Sequence, residues 1–306
     1  MFFFPYRADL ELLKIPLLTI LVCIVCIAVY WQQAKNQELV ASATKSFCQQ
    51  PSPRMYRMVI KKATGVPASQ ACSRLMFEIR RAADPEQFLR KEVIRETRFA
   101  GYSATQSTDY MLQIIMTEFQ RFDAATPSFL TAKLWYQPDS FNITNMLSAA
   151  IAHGSWTHLI GNLFFFFAFA ATVEIILGWW KFLLLITLAV GTHLAYSLTS
   201  LGVETPVPTV GLSGVVMGMM GMFAWFLPRH GIRCFFWFFI FFRRFSLPAW
   251  LLFTWYLGWD IYALTQGDNG GVNLVAHVSG TLIGYAAGML FLRARKREIV
   301  DLNPTP

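Results

Sequence analysis

No charged residue occurs between Ile15 and Trp31, and five more largely apolar windows follow, at 155–177, 179–198, 213–227, 247–265 and 274–292. A helical crossing of a bilayer core takes ~17–25 predominantly apolar residues and must satisfy its own backbone hydrogen bonds. Six such windows predict an all-α polytopic membrane protein. Composition agrees: 55% of the 306 residues are hydrophobic and only 14% are charged, against about a quarter charged in a soluble domain. The first window has the length of a secretory leader. It ends in Tyr30 and Trp31, however, where a leader needs small residues for cleavage, so it reads as an uncleaved anchor.

The run "IRCFFWFFIFF" at 232–242 is apolar enough to suggest a seventh crossing. It is short and bracketed by Arg229, Arg233, Arg243 and Arg244, so it reads as a segment lying in, or dipping into, the membrane interface. The basic residues also orient the windows. With a cytoplasmic N-terminus, Arg7, Lys14, Lys181, those four arginines, and Arg293, Arg295, Lys296 and Arg297 all fall inside, while loops 199–212 and 266–273 contain no Lys or Arg. That pattern satisfies the positive-inside rule and gives the net charge of +8 a use in topology. The expected location is a bacterial cytoplasmic membrane with both termini inside.

Four parts result: 1–31, a cytoplasmic N-terminus and first span; 32–141, an extracytoplasmic, mostly helical domain; 142–292, a core of spans two to six; and 293–306, a basic cytoplasmic tail. In the second part Cys72, Leu75, Met76 and Ile79 form one apolar helical stripe, and Leu112, Ile115, Phe119 and Phe122 another. Asp84-Pro85-Glu86 supplies a cap and a first-turn proline. Cys48 and Cys72 both lie outside, where a disulfide is chemically permitted; separate buried roles are an equal reading.

Several polar residues sit where a membrane disfavours them. Ser213 opens the fourth window in "TVGLSGVVMGMMG", amid glycines that weaken a helix. Alone, it reads as a helix cap. His277 lies at the same depth in the sixth window, and Gly280 and Gly284 share its face. Small residues on both helices, including Gly211 and Gly214 beside the serine, are expected to support close packing. That packing brings an imidazole within reach of a hydroxyl, a nucleophile–base pair. His158 and Asn162, four residues apart, stack on one face of the second window; they are interhelical hydrogen bonders or donors aimed at an oxyanion. Glu174, roughly 18 Å further along that helix, reads as a structural anchor. Asp260 is an intramembrane carboxylate, functional by default, but nothing in the sequence puts it beside His277. The expected machinery is a serine with a histidine alone, and no metal or cofactor.

"HGSWTHLIGN", "GLSG" and "AHVSGTLIG" resemble three motifs of the rhomboid family of intramembrane serine proteases, in the family's order and over about half the chain. The resemblance implies a six-helix bundle whose short fourth helix starts mid-membrane below a water-filled cavity. It implies Ser213 as nucleophile, His277 as base, and Asn162, His158 and the Ser213 N–H as oxyanion hole. His153 matches a further family histidine, and Glu174 a structural glutamate. Two departures stand out. Where many members carry a Trp-Arg pair before the second span, this chain reads "NITNML", and where many place a tyrosine four residues after the serine it has Met217.

The implied activity is an intramembrane serine endopeptidase that cuts transmembrane segments of other membrane proteins near the outer face, with entry beside the fifth window. Implied partners are single-pass or multi-pass membrane substrates and the bilayer, not nucleic acid; the 32–141 domain is expected to bind substrate or a further partner. A non-cutting rhomboid-like protein usually lacks the serine or the histidine, and both are present. A transporter or channel would need a charged row along a path, and none is found.

Overall fold

The structure, a computed structural model, describes residues 2–10, 14–82, 84–94, 99, 101–203, 206–238, 241–267 and 271–302. Positions 204–205 and 268–270 of the two short loops, 239–240 of the aromatic run and 303–306 of the basic tail lie outside the described residues. Contacts divide the chain into two compact units: Met1–Trp31 with Lys133–Pro306, and Gln32–Ala132. Helix α1 (Leu17–Gln49) contributes to both. Residues 133–141, assigned from sequence to the external domain, group with the first unit. Tyr136 explains this: its N–H and carbonyl each bond Thr209 at 2.9 Å.

The Gln32–Ala132 unit is helical, with α2 (Arg54–Thr64), α3 (Ala68–Arg81), α4 (Pro85–Phe88), a π-helical turn and α5 (Ala104–Ala125). The cap expected at Asp84 is present, its carboxylate accepting from the Gln87 N–H at 2.9 Å ahead of Pro85. A reciprocal Ser103/Gln106 capping box starts α5. The apolar stripes meet in one core: Tyr56, Val59 and Ile60 of α2, Cys72, Leu75, Met76 and Ile79 of α3, and Met111, Leu112, Ile115 and Phe122 of α5. Cys48 and Cys72 are joined by a disulfide, which decides between the two readings of these residues. A short α6 (Leu130–Leu134) follows.

The other unit contains α7 (Ile143–Ile151), α8 (Trp156–Leu177), α9 (Trp179–Val190), α10 (Thr192–Thr199), α11 (Ser213–Phe226), α12 (Ala249–Gln266), α13 (Leu274–Leu292) and α14 (Lys296–Leu302). Among the described residues, four helices are long and apolar enough to cross a membrane: α1, α8, the α9–α10 pair read as one segment, and α13. Helix α11 is apolar but shorter. Every residue from Gly214 to Ala224 is buried, as an all-round apolar helix requires. Helix α8 packs on it through the Phe169–Phe223 ring pair, and α13 through facing glycines. Glu174 ties α1 to α8: buried, it accepts from the Leu18 and Thr19 N–H groups at 2.9 and 2.7 Å and from the Thr19 hydroxyl at 2.7 Å. A carboxylate there satisfies orphan donors and complements the dipole at a helix start.

The all-α expectation requires a correction. The aromatic run is not helical: it forms β2 (Gly231–Phe238) and β3 (Phe241–Pro248), and β1 (Phe2–Ala8) completes a three-stranded antiparallel sheet of order β1-β2-β3. The physical reason is period. Ile232 and Cys234 are fully buried while Arg233 between them is exposed, the alternation of a half-buried strand, and aromatic residues favour pleated surfaces. Pro5 is tolerated because β1 is an edge strand. Asp9, just beyond β1, accepts from the Ser246 hydroxyl at 2.9 Å and pairs with Arg233.

Candidate active site

The loop entering α11 is pinned from two sides. Tyr136 bridges Thr209, and the Gly211 N–H donates to the Ala149 carbonyl of α7 at 2.8 Å. Helix α7 is the "NITNML" stretch; Asn142 caps it, and the Asn145 side-chain amide donates to the Lys133 and Trp135 carbonyls at 3.0 and 2.8 Å. Gly211 lies before the helix, not on it, so it is not a helix-packing glycine as the sequence suggested. Its φ of +127° excludes other residues, and a Cβ there would stand 2.7 Å from His158 Cε1 and 3.6 Å from Asn162 Nδ2.

Ser213 is the first helical residue of α11. The N-cap position belongs to Leu212, and no side chain caps the helix, so the simple cap reading of Ser213 does not hold. The intrahelical ladder begins with the Val216 N–H donating to the Leu212 carbonyl at 2.9 Å. The N–H groups before it, including that of Ser213, have no intrahelical acceptor.

On α8, Ser155 caps the helix by accepting from the His158 N–H at 3.1 Å, and Asn162 follows one turn later. Asn162 is buried, and its Nδ2 has no hydrogen-bond partner; such a group normally costs about 1–3 kcal/mol. The Gly154 N–H reaches His158 Nδ1 at 3.5 Å. With Nδ1 accepting, the neutral ring carries its proton on Nε2, the atom 2.9 Å from the Cβ position of Gly211. His153, between α7 and α8, packs edge-on against the His158 ring at 5.2 Å. Burial, followed by the neighbouring His158, pushes its imidazole down to about 3, so it is neutral.

On α13, Asn273 caps the helix by accepting from the Ala276 N–H at 3.0 Å and so fixes the turn carrying His277. The α11 and α13 backbones touch. A Cβ on Gly280 or Gly284 would collide with the carbonyls of Gly214 or Gly218, and one on Gly214 would stand 3.5 Å from the Ala276 carbonyl and 2.6 Å from Thr192 Oγ1. Ser213 and His277 are the chain neighbours of Gly214 and Ala276, so both emerge at one level of this seam. His277 Nε2 is buried without a partner. Its Nδ1 lies 3.2 Å from Asp260 Oδ2 on α12. Sequence reasoning left Asp260 unplaced; a carboxylate in an apolar helix was the only signal it gave. Met217, one turn beyond Ser213, is buried within α11. Glu174 stays with α1, outside this cluster.

A half-buried serine and histidine on two helices in backbone contact, with a buried asparagine on a third, in a mostly helical protein with several candidate membrane spans, is the class these features define. The model of the Rhomboid domain matches residues 140–294, half of the chain, and the protein belongs to the rhomboid family. A comparison with curated proteins found no match.

Proposed function

We propose that this protein is an intramembrane serine endopeptidase that uses Ser213 and His277 to cut transmembrane segments of other membrane proteins. The observation that carries the reading is the pair of buried, unpartnered polar atoms, His277 Nε2 and Asn162 Nδ2, beside the uncapped start of α11. Native proteins rarely leave such atoms unsatisfied without a role. In the proposed reaction Ser213 Oγ attacks the scissile carbonyl carbon while His277 Nε2 takes its proton. The resulting oxyanion accepts from the Ser213 N–H, Asn162 Nδ2 and His158 Nε2. Collapse breaks the C–N bond, His277 returns the proton to the leaving amine, and water then hydrolyses the acyl-enzyme with His277 as base.

Family membership supports a six-span bundle made of α1, α8, α9–α10, α11, α12 and α13. Helix α11 has 14 residues, about 21 Å at 1.5 Å per residue, short of a ~30 Å hydrocarbon core; Ser213 then lies below the membrane surface. Substrate enters beside α12, whose Trp250, Trp255 and Trp259 are exposed. The basic-residue pattern favours a cytoplasmic N-terminus in a bacterial inner membrane, and the disulfide suits an oxidising exterior for the Gln32–Ala132 unit.

Fluorophosphonate labelling of the full-length protein in detergent tests the reading. Labelling and cleavage of a transmembrane substrate are expected in the natural sequence and absent in Ser213→Ala and His277→Ala. Because the two residues act as a unit, the double variant is no worse than either single one. Substantial cleavage by folded Ser213→Ala would overturn the assignment.

A further inference from the structure

We propose that Asp260 completes the machinery as a positioning residue that fixes which nitrogen of His277 carries the proton. This inference rests on the catalytic reading of Ser213 and His277 above. Only Ala249, Leu252 and Asp260 are buried along α12, while Trp255, Trp259 and Tyr262 around the carboxylate are exposed. The helix therefore turns its one acid inward and its large aromatics outward, the orientation of an intramembrane carboxylate that finds its partner inside the bundle. Among the described residues, the hydrogen bond of this carboxylate goes to His277 Nδ1, at 3.2 Å. His158 of α8 and Tyr256 of α12 are the other titratable groups facing the pair, and neither is hydrogen-bonded to Nδ1.

A carboxylate can only accept. Nδ1 must then be the protonated nitrogen, which leaves the lone pair on Nε2, buried and unpartnered. That is the tautomer a base needs in order to take the serine proton. When the proton arrives at Nε2, the positive charge forms opposite Asp260, which stabilises it without itself being protonated. The proton then passes to the leaving amine and the pair returns to its starting state. The carboxylate thus positions the serine–histidine pair from a third helix.

Full-length protein with 15N-labelled histidine, reconstituted in lipid above the titration range of imidazole, provides the test. His277 signals are identified by their loss in His277→Ala. A proton on Nδ1 and a bare Nε2 are expected in the natural sequence. Asp260→Asn, whose amide can donate to Nδ1, is expected to move the proton to Nε2. It should also slow turnover by about 10²- to 10⁴-fold, the scale on which loss of the orienting carboxylate slows serine proteases, with KM unchanged. A purely structural role would leave the tautomer as it was. An Nε2-protonated ring in the natural sequence overturns the proposal, whether or not Asp260→Asn folds. So does an Asp260→Asn protein with natural tautomer and turnover. Cleavage by Ser213→Ala would instead sink the protease reading, so the two failures are distinguishable.

Discussion

At the scale of single residues, Asn162 and His153 make opposite demands. Asn162 has an amide nitrogen with no hydrogen-bond partner, so its removal should leave folding intact and slow the reaction. Asn162→Ala is expected to lower turnover by about 10- to 1000-fold, the range for one oxyanion donor, with a smaller loss of probe labelling; His158→Ala should act similarly or less. Steady-state cleavage rates check both, and natural rates would reassign the pair to helix packing. His153 is held neutral by burial, its value pushed down to about 3, while the unfolded chain titrates near 6.5. Between those values only the unfolded state binds the proton, so stability is full above about 6.5 and falls as pH drops through that window. Melting curves in detergent at about pH 7 and pH 5 should show a larger loss for the natural sequence than for His153→Leu. Most of the candidate site proposed above is legible residue by residue, because Ser213, His277, His158 and Asn162 sit in short motifs with helical spacing. Asp260 is not. Its meaning depends on how α12 rotates against α13, and no local pattern encodes that rotation.

At the scale of elements, the seam between α11 and α13 is built on backbone contact, since a Cβ on Gly284 would overlap the Gly218 carbonyl. Gly284→Leu must therefore push the helices apart, at a cost of at least the 1–3 kcal/mol typical of overpacking, and Ser213 moves away from His277. A lower melting temperature together with lost labelling is the expected outcome; normal labelling would show that the seam yields without disturbing the pair. The glycine spacing made this contact readable in advance. The sheet was harder to see. Residues 235–238 are aromatic at every position, so the strand period there is hidden in the sequence, and the partner β1 lies more than two hundred residues away. A segment whose structure comes from a distant pairing offers little for a local window to detect.

At the scale of the whole molecule, all the groups proposed for chemistry belong to the Met1–Trp31 and Lys133–Pro306 unit, while the Gln32–Ala132 unit has its own core. Deleting residues 41–124 should then preserve fluorophosphonate labelling of Ser213 but change which membrane proteins are cut. Loss of labelling in a deletion variant that still inserts and stays monodisperse would show instead that the domain supports the site. The Cys48–Cys72 bridge spans 24 positions, and closing such a loop stabilises a fold by about 3.5 kcal/mol in the chain-entropy estimate. Reduction is expected to loosen this unit, measured as faster proteolysis within 54–125, with labelling unchanged. Its helices were readable from their stripes and caps. The contact division ends this unit at Ala132 where the sequence reading ran to 141, because Tyr136, an unremarkable residue in sequence, is bridged to Thr209.

The Glu174 carboxylate that closes the start of α1 has a consequence in time. It follows Leu18 by 156 positions, so at a synthesis rate of ~5–20 residues per second the first helix exists for roughly 8–30 s before its partner is made. Strand β1 waits longer still, because β2 starts only at Gly231. During that interval the N-terminal segment has an edge to pair and donors to satisfy, with neither partner yet synthesised. The last third of the chain, on arrival, finishes the first.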